Sequence, residues 1–142
     1  MNSLSRSLSL AAIATFSTLA WAKGPATTAQ VVEHHLAASA AGDVPAVLRD
    51  YADTAVTISP NGQTQGKAAL EKLFTAVLAG PPGARPRLIL KQQVFIGEVG
   101  YITWVQNEGK AGETQGSDTF IVHQGKIIAQ TVVMFTAPAA GR

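Results

Sequence analysis

The chain has 142 residues, enough for one domain with its own apolar core. It contains no cysteine, which excludes disulfides and thiolate metal sites. Its formal charge of +2 comes from 11 basic and 9 acidic residues that form no basic run, and this pattern excludes a nucleic-acid-binding face.

The N-terminal stretch reads as a secretory signal. Arg6 supplies a positive end, residues 8–20 a short apolar core, and Ala20-Trp21-Ala22 a small-x-small cleavage site. The apolar core is shorter than the roughly 20 residues that a bilayer span needs. The expectation is a cleavable signal over residues 1–22 and a single mature domain over 23–142. That domain would be secreted or periplasmic, with no membrane attachment after cleavage.

Thr27 and Gln30 stand at capping-box spacing, and the helix they open runs to Ala41 and stops at Gly42. Its spacing puts Val31, Val32, His35, Leu36 and Ser39 on one side, with His34 pointing elsewhere. Asp43 caps a second helix with Val44, Val47, Leu48 and Tyr51 on its apolar stripe. A short strand follows over 55–58, and Pro60-Asn61-Gly62 turns the chain. A third helix over 67–79 turns Leu70, Leu73, Phe74, Val77 and Leu78 inward. Gly80-Pro81-Pro82-Gly83 then separates this helical half from four strands, at about 88–96, 101–107, 114–123 and 126–135. Helices first and antiparallel strands later indicate an α+β domain.

Asp118 is the residue that hints at chemistry. On a strand it shares a face with Phe120 and Val122. A two-residue turn at Gln124-Gly125 pairs Val122 with Ile127, Phe120 with Ala129 and Asp118 with Thr131. The expected face is then Asp118, Phe120, Val122, Ile127, Ala129, Thr131, Val133 and Phe135. One carboxyl on an apolar face is costly unless bonded or protonated, and burial raises its pKa. Such a group is either a ligand-facing acid or a structural carboxylate bonded to its neighbours.

The markers Ala41-Gly42-Asp43, Tyr51-Ala52-Asp53, Ala55-Val56, Pro60-x-Gly62, Gly66 and Asp118-x-Phe120 before Gly125-Lys126-Ile127 form an ordered set. In this order the chain resembles the nuclear transport factor 2-like superfamily, over roughly residues 28–136. That superfamily includes ketosteroid isomerases and SnoaL-like polyketide cyclases. The resemblance implies a cone-shaped roll, in which three N-terminal helices pack on a strongly curved, mainly antiparallel sheet around a pocket. It also implies a homodimer built by the outer sheet face.

Matched position by position, the isomerase hydroxyl donor falls on His35, the proton-moving base on Ser59 and the late acid on Asp118. Tyr51 matches a tyrosine that lines or supports the isomerase pocket. A serine without an activating partner cannot take a proton from carbon, so the isomerase mechanism is not expected here. The resemblance leaves Asp118 and His35 as candidate acid, base or oxyanion donors. Tyr51, Ser59, Phe74, Phe120, Thr131, Val133 and Phe135 are the expected lining of a pocket for a small, largely apolar molecule. His35 also reads as a core histidine bonded to protein, and Tyr51 as helix core. Trp104 faces either the pocket or a dimer interface, according to the register of its strand. Adjacent His34 and His35 face apart on a helix, so no metal site is expected, and no cofactor either. Two function classes stand: a binding module without catalysis, and an isomerase-, cyclase- or hydrolase-type enzyme using Asp118 and His35.

Overall fold

A computed structural model of the chain describes residues 24–81 and 87–136. The proposed signal over 1–22 lies outside the described residues. Helix α1 (Thr28–Ala41) begins at a complete capping box. The Thr27 hydroxyl accepts from Gln30 N–H, the Gln30 side chain accepts from Thr27 N–H, and Gly42 ends the helix in the left-handed conformation. Helix α2 (Val44–Asp50) follows at once, capped by Asp43, whose carboxylate accepts from Ala46 N–H. The chain then enters β1 (Tyr51–Ser59), turns into β2 (Gly62–Gln65), and forms α3 (Lys67–Val77). Four strands complete the chain: β3 (Ile89–Ile96), β4 (Val99–Gln106), β5 (Thr114–His123) and β6 (Lys126–Thr136).

The six strands make one sheet in the order β2-β1-β6-β5-β4-β3. All neighbours are antiparallel except β1 and β6, which are parallel. Register shifts interrupt the β1–β6, β3–β4 and β5–β6 ladders. An extra residue bends a strand and increases its twist, so these bulges curve the sheet around the helices. The result is the expected α+β architecture of three helices on a curved, mainly antiparallel sheet.

Helix α1 sits close on the concave face because Gly100 has no side chain. A Cβ there would lie 3.2 Å from Val32 and 3.3 Å from Thr28. The Thr28 hydroxyl donates to Gly97 O at 2.7 Å and ties the start of α1 to the β3–β4 turn. The core joins Val31, Val32 and Val47 from the helices to Leu70 and Phe74 of α3 and to Ile102, Phe120 and Ile127 of the sheet.

Four details correct the sequence reading. Tyr51 opens β1 instead of ending α2, because its extended backbone caps the helix at Asp50. The first strand is longer than expected, and Gly62–Gln65 pairs back on it as a hairpin. On α3, Leu70 and Phe74 are buried, whereas Val77 in the last turn is 60% exposed. The fourth concerns β6. Val122 pairs with Ile127 as expected, but Ile121 then pairs with Ala129 and Asp118 with Val132, leaving Ile128 as an extra residue. Side chains alternate with period two, so that one residue turns the rest of β6 over. Thr131, Val133 and Phe135 therefore lie on the convex face, outside the cone, and all three are exposed. Gln130, Val132 and Met134 take the concave side.

Candidate functional site

The slip in β6 delivers Gln130 to the cone interior, and a buried polar chain forms around it. The Tyr51 hydroxyl donates to Gln130 Oε1. Gln130 Nε2 donates to Asp118 Oδ2 at 3.0 Å, and Trp104 Nε1 donates to Asp118 Oδ1 at 3.0 Å. The order of this chain follows from its members. An ionised carboxylate only accepts, so the Gln130 amide offers an N–H to Asp118 and its oxygen to the tyrosine hydroxyl. Tyr51, Trp104, Asp118 and Gln130 are all buried. Burial raises the Asp118 pKa, opposed by the bonds from Trp104 and Gln130. Burial likewise pushes the Tyr51 hydroxyl well above its ordinary pKa, with the Asp118 and Asp50 charges adding to it.

Trp104 reaches Asp118 because Gly116 lies beneath its ring. Trp104 and Gly116 are cross-strand partners, and a Cβ on Gly116 would fall 2.4 Å from the indole and 2.6 Å from Val133 O. The sequence left the facing of Trp104 open; it is on the concave side, and Thr103 is on the other. Gln130 is the site residue that sequence reasoning missed, and the bond from Trp104 to Asp118 was not foreseen. Trp104 follows from the regular β4–β5 register, which sets it across from Gly116, whereas Gln130 reaches the concave side only through the bulge in β6.

His35 comes from α1 and packs beside this chain. Its ring meets those of Tyr51, Phe74 and Phe120 edge-on, at centroid distances of 5.5, 6.0 and 5.4 Å. Burial, and secondarily the neighbouring His34, lower its pKa to about 4. Its Nδ1 is buried with no hydrogen-bond partner among the described residues. Both oxygens of Asp118 take their bonds from Trp104 and Gln130, so His35 meets Asp118 through the aromatic rings and the Tyr51–Gln130 link. His34 faces away, as expected, with Nδ1 at 2.8 Å from both oxygens of Asp50.

The other predicted residues divide cleanly. Phe74 and Phe120 join Tyr51 around His35. Ser59, at the base position, spends its hydroxyl in the β1–β2 turn, where it accepts from Asn61 N–H at 3.2 Å. Thr131, Val133 and Phe135 stand on the far side of the sheet. Among the described residues there is no cluster of three or more His, Asp or Glu that could hold a metal ion, and no helix long and apolar enough to cross a membrane.

A curved six-stranded sheet closed over three helices is the architecture of a nuclear transport factor 2-like protein. The chain is similar to a protein of this type and of unknown function from Burkholderia xenovorans, at 17% identity over 81% of this chain and 86% of that one, with a TM-score of 0.62. A second such protein, from Cytophaga hutchinsonii, matches at 16% identity over 82% and 96%, with a TM-score of 0.64. TerC, crystallised with polyporic acid, shares the fold at 11% identity over 76% and 91%, with a TM-score of 0.62. The SnoaL-like domain family matches residues 32–130, and the chain belongs to it. No curated protein matches the sequence.

Proposed function

We propose that this domain binds a small, largely apolar molecule inside the cone and does so without catalysis. The observation that carries this reading is the unpaired Nδ1 of His35, held among aromatic rings beside a buried polar chain. A buried polar atom without a partner costs about 1 to 3 kcal/mol, and such groups are rare unless a ligand or water uses them. The rings of Tyr51, Phe74 and Phe120 supply an apolar surround. Access requires a wall to move. Helix α3 is a candidate for that wall, since Gly66 gives it no side-chain cap and it packs chiefly on α2, β1 and β2.

The polar chain argues against proton transfer. Each Asp118 oxygen already accepts a bond, the lowered pKa of His35 makes it a weak base, and Ser59 stands where a carboxylate base would be needed. Mass spectrometry of small molecules carried through purification tests the reading. An apolar compound at near-stoichiometric level that is lost on His35→Phe supports it. Steroid isomerase turnover in the natural chain would sink the non-catalytic half.

Two further expectations belong to the same reading. The small-x-small motif at Ala20-Trp21-Ala22 supports export, and intact mass of the periplasmic fraction should show a product beginning at Lys23. The convex sheet face supports assembly with a second copy of the chain. It exposes Ile96 at 72% and Phe135 at 71%, with Val99 and Val133 also exposed, and Phe135 borders a groove of about 340 Å³ that Thr103, Gln115 and Ser117 also line.

A further inference from the structure

We infer that Asn61 is a site of spontaneous covalent modification: its side-chain amide is lost to the backbone nitrogen of Gly62, which leaves a carboxylate in the β1–β2 turn. The two groups are joined by a short tether, so the step is intramolecular and gains from proximity. Pro60 and Asn61 form the tight turn, with Ser59 and Gly62 paired on either side of it. Pro60, Asn61, Gly62 and Gln63 are all exposed. The Asn61 side chain is bonded to no described residue. Gly62 has a φ of +120°, and nothing lies within 4 Å of the place where its Cβ would stand. A side chain there would shield the Gly62 nitrogen and strain the backbone, and glycine does neither. The Ser59 hydroxyl accepts from Asn61 N–H at 3.2 Å and donates to Gly62 O at 3.4 Å. The backbone of the turn is thus held while the Asn61 side chain stays free to swing onto the Gly62 nitrogen.

The reaction consumes only water. The Gly62 nitrogen bonds to Asn61 Cγ, the Cγ–Nδ2 bond breaks, and Nδ2 leaves as ammonia with the Gly62 amide proton. Water then opens the cyclic imide at either carbonyl. Opening at Cγ gives aspartate on a normal backbone. Opening at the main-chain carbonyl gives isoaspartate, whose main chain runs through Cβ and is longer by a methylene. Asn107 is the internal contrast: its Nδ2 donates to Gly112 O at 3.3 Å, and Glu108, not a glycine, follows it. The consequence falls on β2, which has four residues, edges the sheet and pairs with β1 alone. Hairpin register is set by the turn, so a methylene added there moves the β2 donors and acceptors off those of β1. The isoaspartate form therefore loosens β2. The Gly66 N–H bond to Ala55 O at 2.9 Å closes the hairpin beyond β2 and keeps the change from α3.

The test incubates the purified full chain in mildly alkaline buffer and follows intact mass and peptide maps. Exchange of an amide NH2 for OH should raise the mass by about 1 Da. In heavy-oxygen water the label should enter the peptide that holds Asn61, as both aspartate and isoaspartate. Conversion at Asn61 should outrun that at Asn107 by about tenfold or more. Asn61→Gln lengthens the tether and should remove the product. An intact Asn61 in the folded chain, at a time when the same chain unfolded in urea has converted, overturns the inference. So does equal conversion at Asn107. The loosening is read by hydrogen exchange of the β2 amides. These should exchange faster in the isoaspartate form than in Asn61→Asp, which carries the same charge on a normal backbone. Equal exchange in the two overturns the effect on β2.

Discussion

His35 couples the interior to pH. Its imidazole titrates at 6.5 when unfolded and at about 4 when folded. Between those values the unfolded chain binds the proton and the folded chain does not, so stability rises with pH across the window and is lost as pH falls through it. The full shift corresponds to about 3 kcal/mol. Urea unfolding at a series of pH values should show this loss between pH 6.5 and 4, and His35→Phe should flatten that part of the curve. The same variant should be more stable than the natural chain at neutral pH, since it removes a buried unpaired nitrogen. An unchanged pH profile would mean that His35 is paired or exposed in solution.

Asp118 has the opposite sign. Its raised pKa means that the folded chain keeps a proton that the unfolded chain has released, so this group lowers stability as pH rises past the ordinary carboxylate range. Asp118→Asn should be well tolerated because the chain of bonds can invert. Gln130 turns its oxygen to the new amide, the Tyr51 hydroxyl switches from donor to acceptor, and Trp104 keeps its partner. Unfolding free energy at pH 7 should stay within about 1 kcal/mol of the natural chain. A loss of several kcal/mol would show that the carboxylate charge itself holds the site. At this scale the sequence was informative about types and weak on partners. Asp118, His35, Tyr51, Phe74 and Phe120 were legible as interior residues from helical spacing, strand alternation and the family pattern. That Asp118 would be bonded by Trp104 and Gln130 was hidden, because both depend on long-range register.

The elements that place these residues were read mostly from local signals. The capping box at Thr27, the glycine stop at Gly42 and the turn at Gln124-Gly125 each act within a few residues, and each is observed. Strand β5 has the bounds the alternation predicts. The face of β6 was misread because a bulge leaves no mark in a run such as Lys126–Thr136, where apolar and polar side chains do not alternate strictly. Two substitutions probe the element scale. Phe74→Ala removes the main contact of α3 with the His35 cluster and should cost about 3 to 5 kcal/mol. A change near zero in denaturant unfolding would show that α3 is detached in solution. Gly116→Ala puts a methyl group into both the Trp104 ring and Val133 O. Overpacking of this kind costs about 1 to 3 kcal/mol. The indole N–H resonance of Trp104 should also move as its bond to Asp118 lengthens, and an unchanged resonance would show that the sheet yields instead.

At the scale of the whole molecule, the two faces of the sheet differ in what covers them. The concave face closes over the helices and holds the polar chain. The convex face has no covering element among those described, yet it is studded with Val94, Ile96, Val99, Val133 and Phe135. Rows of paired strands set these side chains on one surface: Ile96 beside Val99 and Ile121, and Val133 beside Ser117 and Thr103. A two-fold axis through such a surface matches each patch with its own copy, which is the commonest way soluble chains assemble. A stable pair needs about 800 Å² buried on each partner, a demand that one face of a six-stranded sheet can meet. The prediction is a dimer in sedimentation equilibrium at micromolar concentration. The double variant Ile96→Lys and Phe135→Lys should be monomeric, because lysines brought face to face repel and cannot be desolvated cheaply. Both side chains are largely exposed in the single chain, so its own fold should change by less than about 0.5 kcal/mol for each substitution. Unfolding of the variant should therefore become independent of protein concentration while that of the natural chain rises with it. A natural chain that sediments as a monomer, with stability independent of concentration, would show that this apolar face serves something other than a second copy.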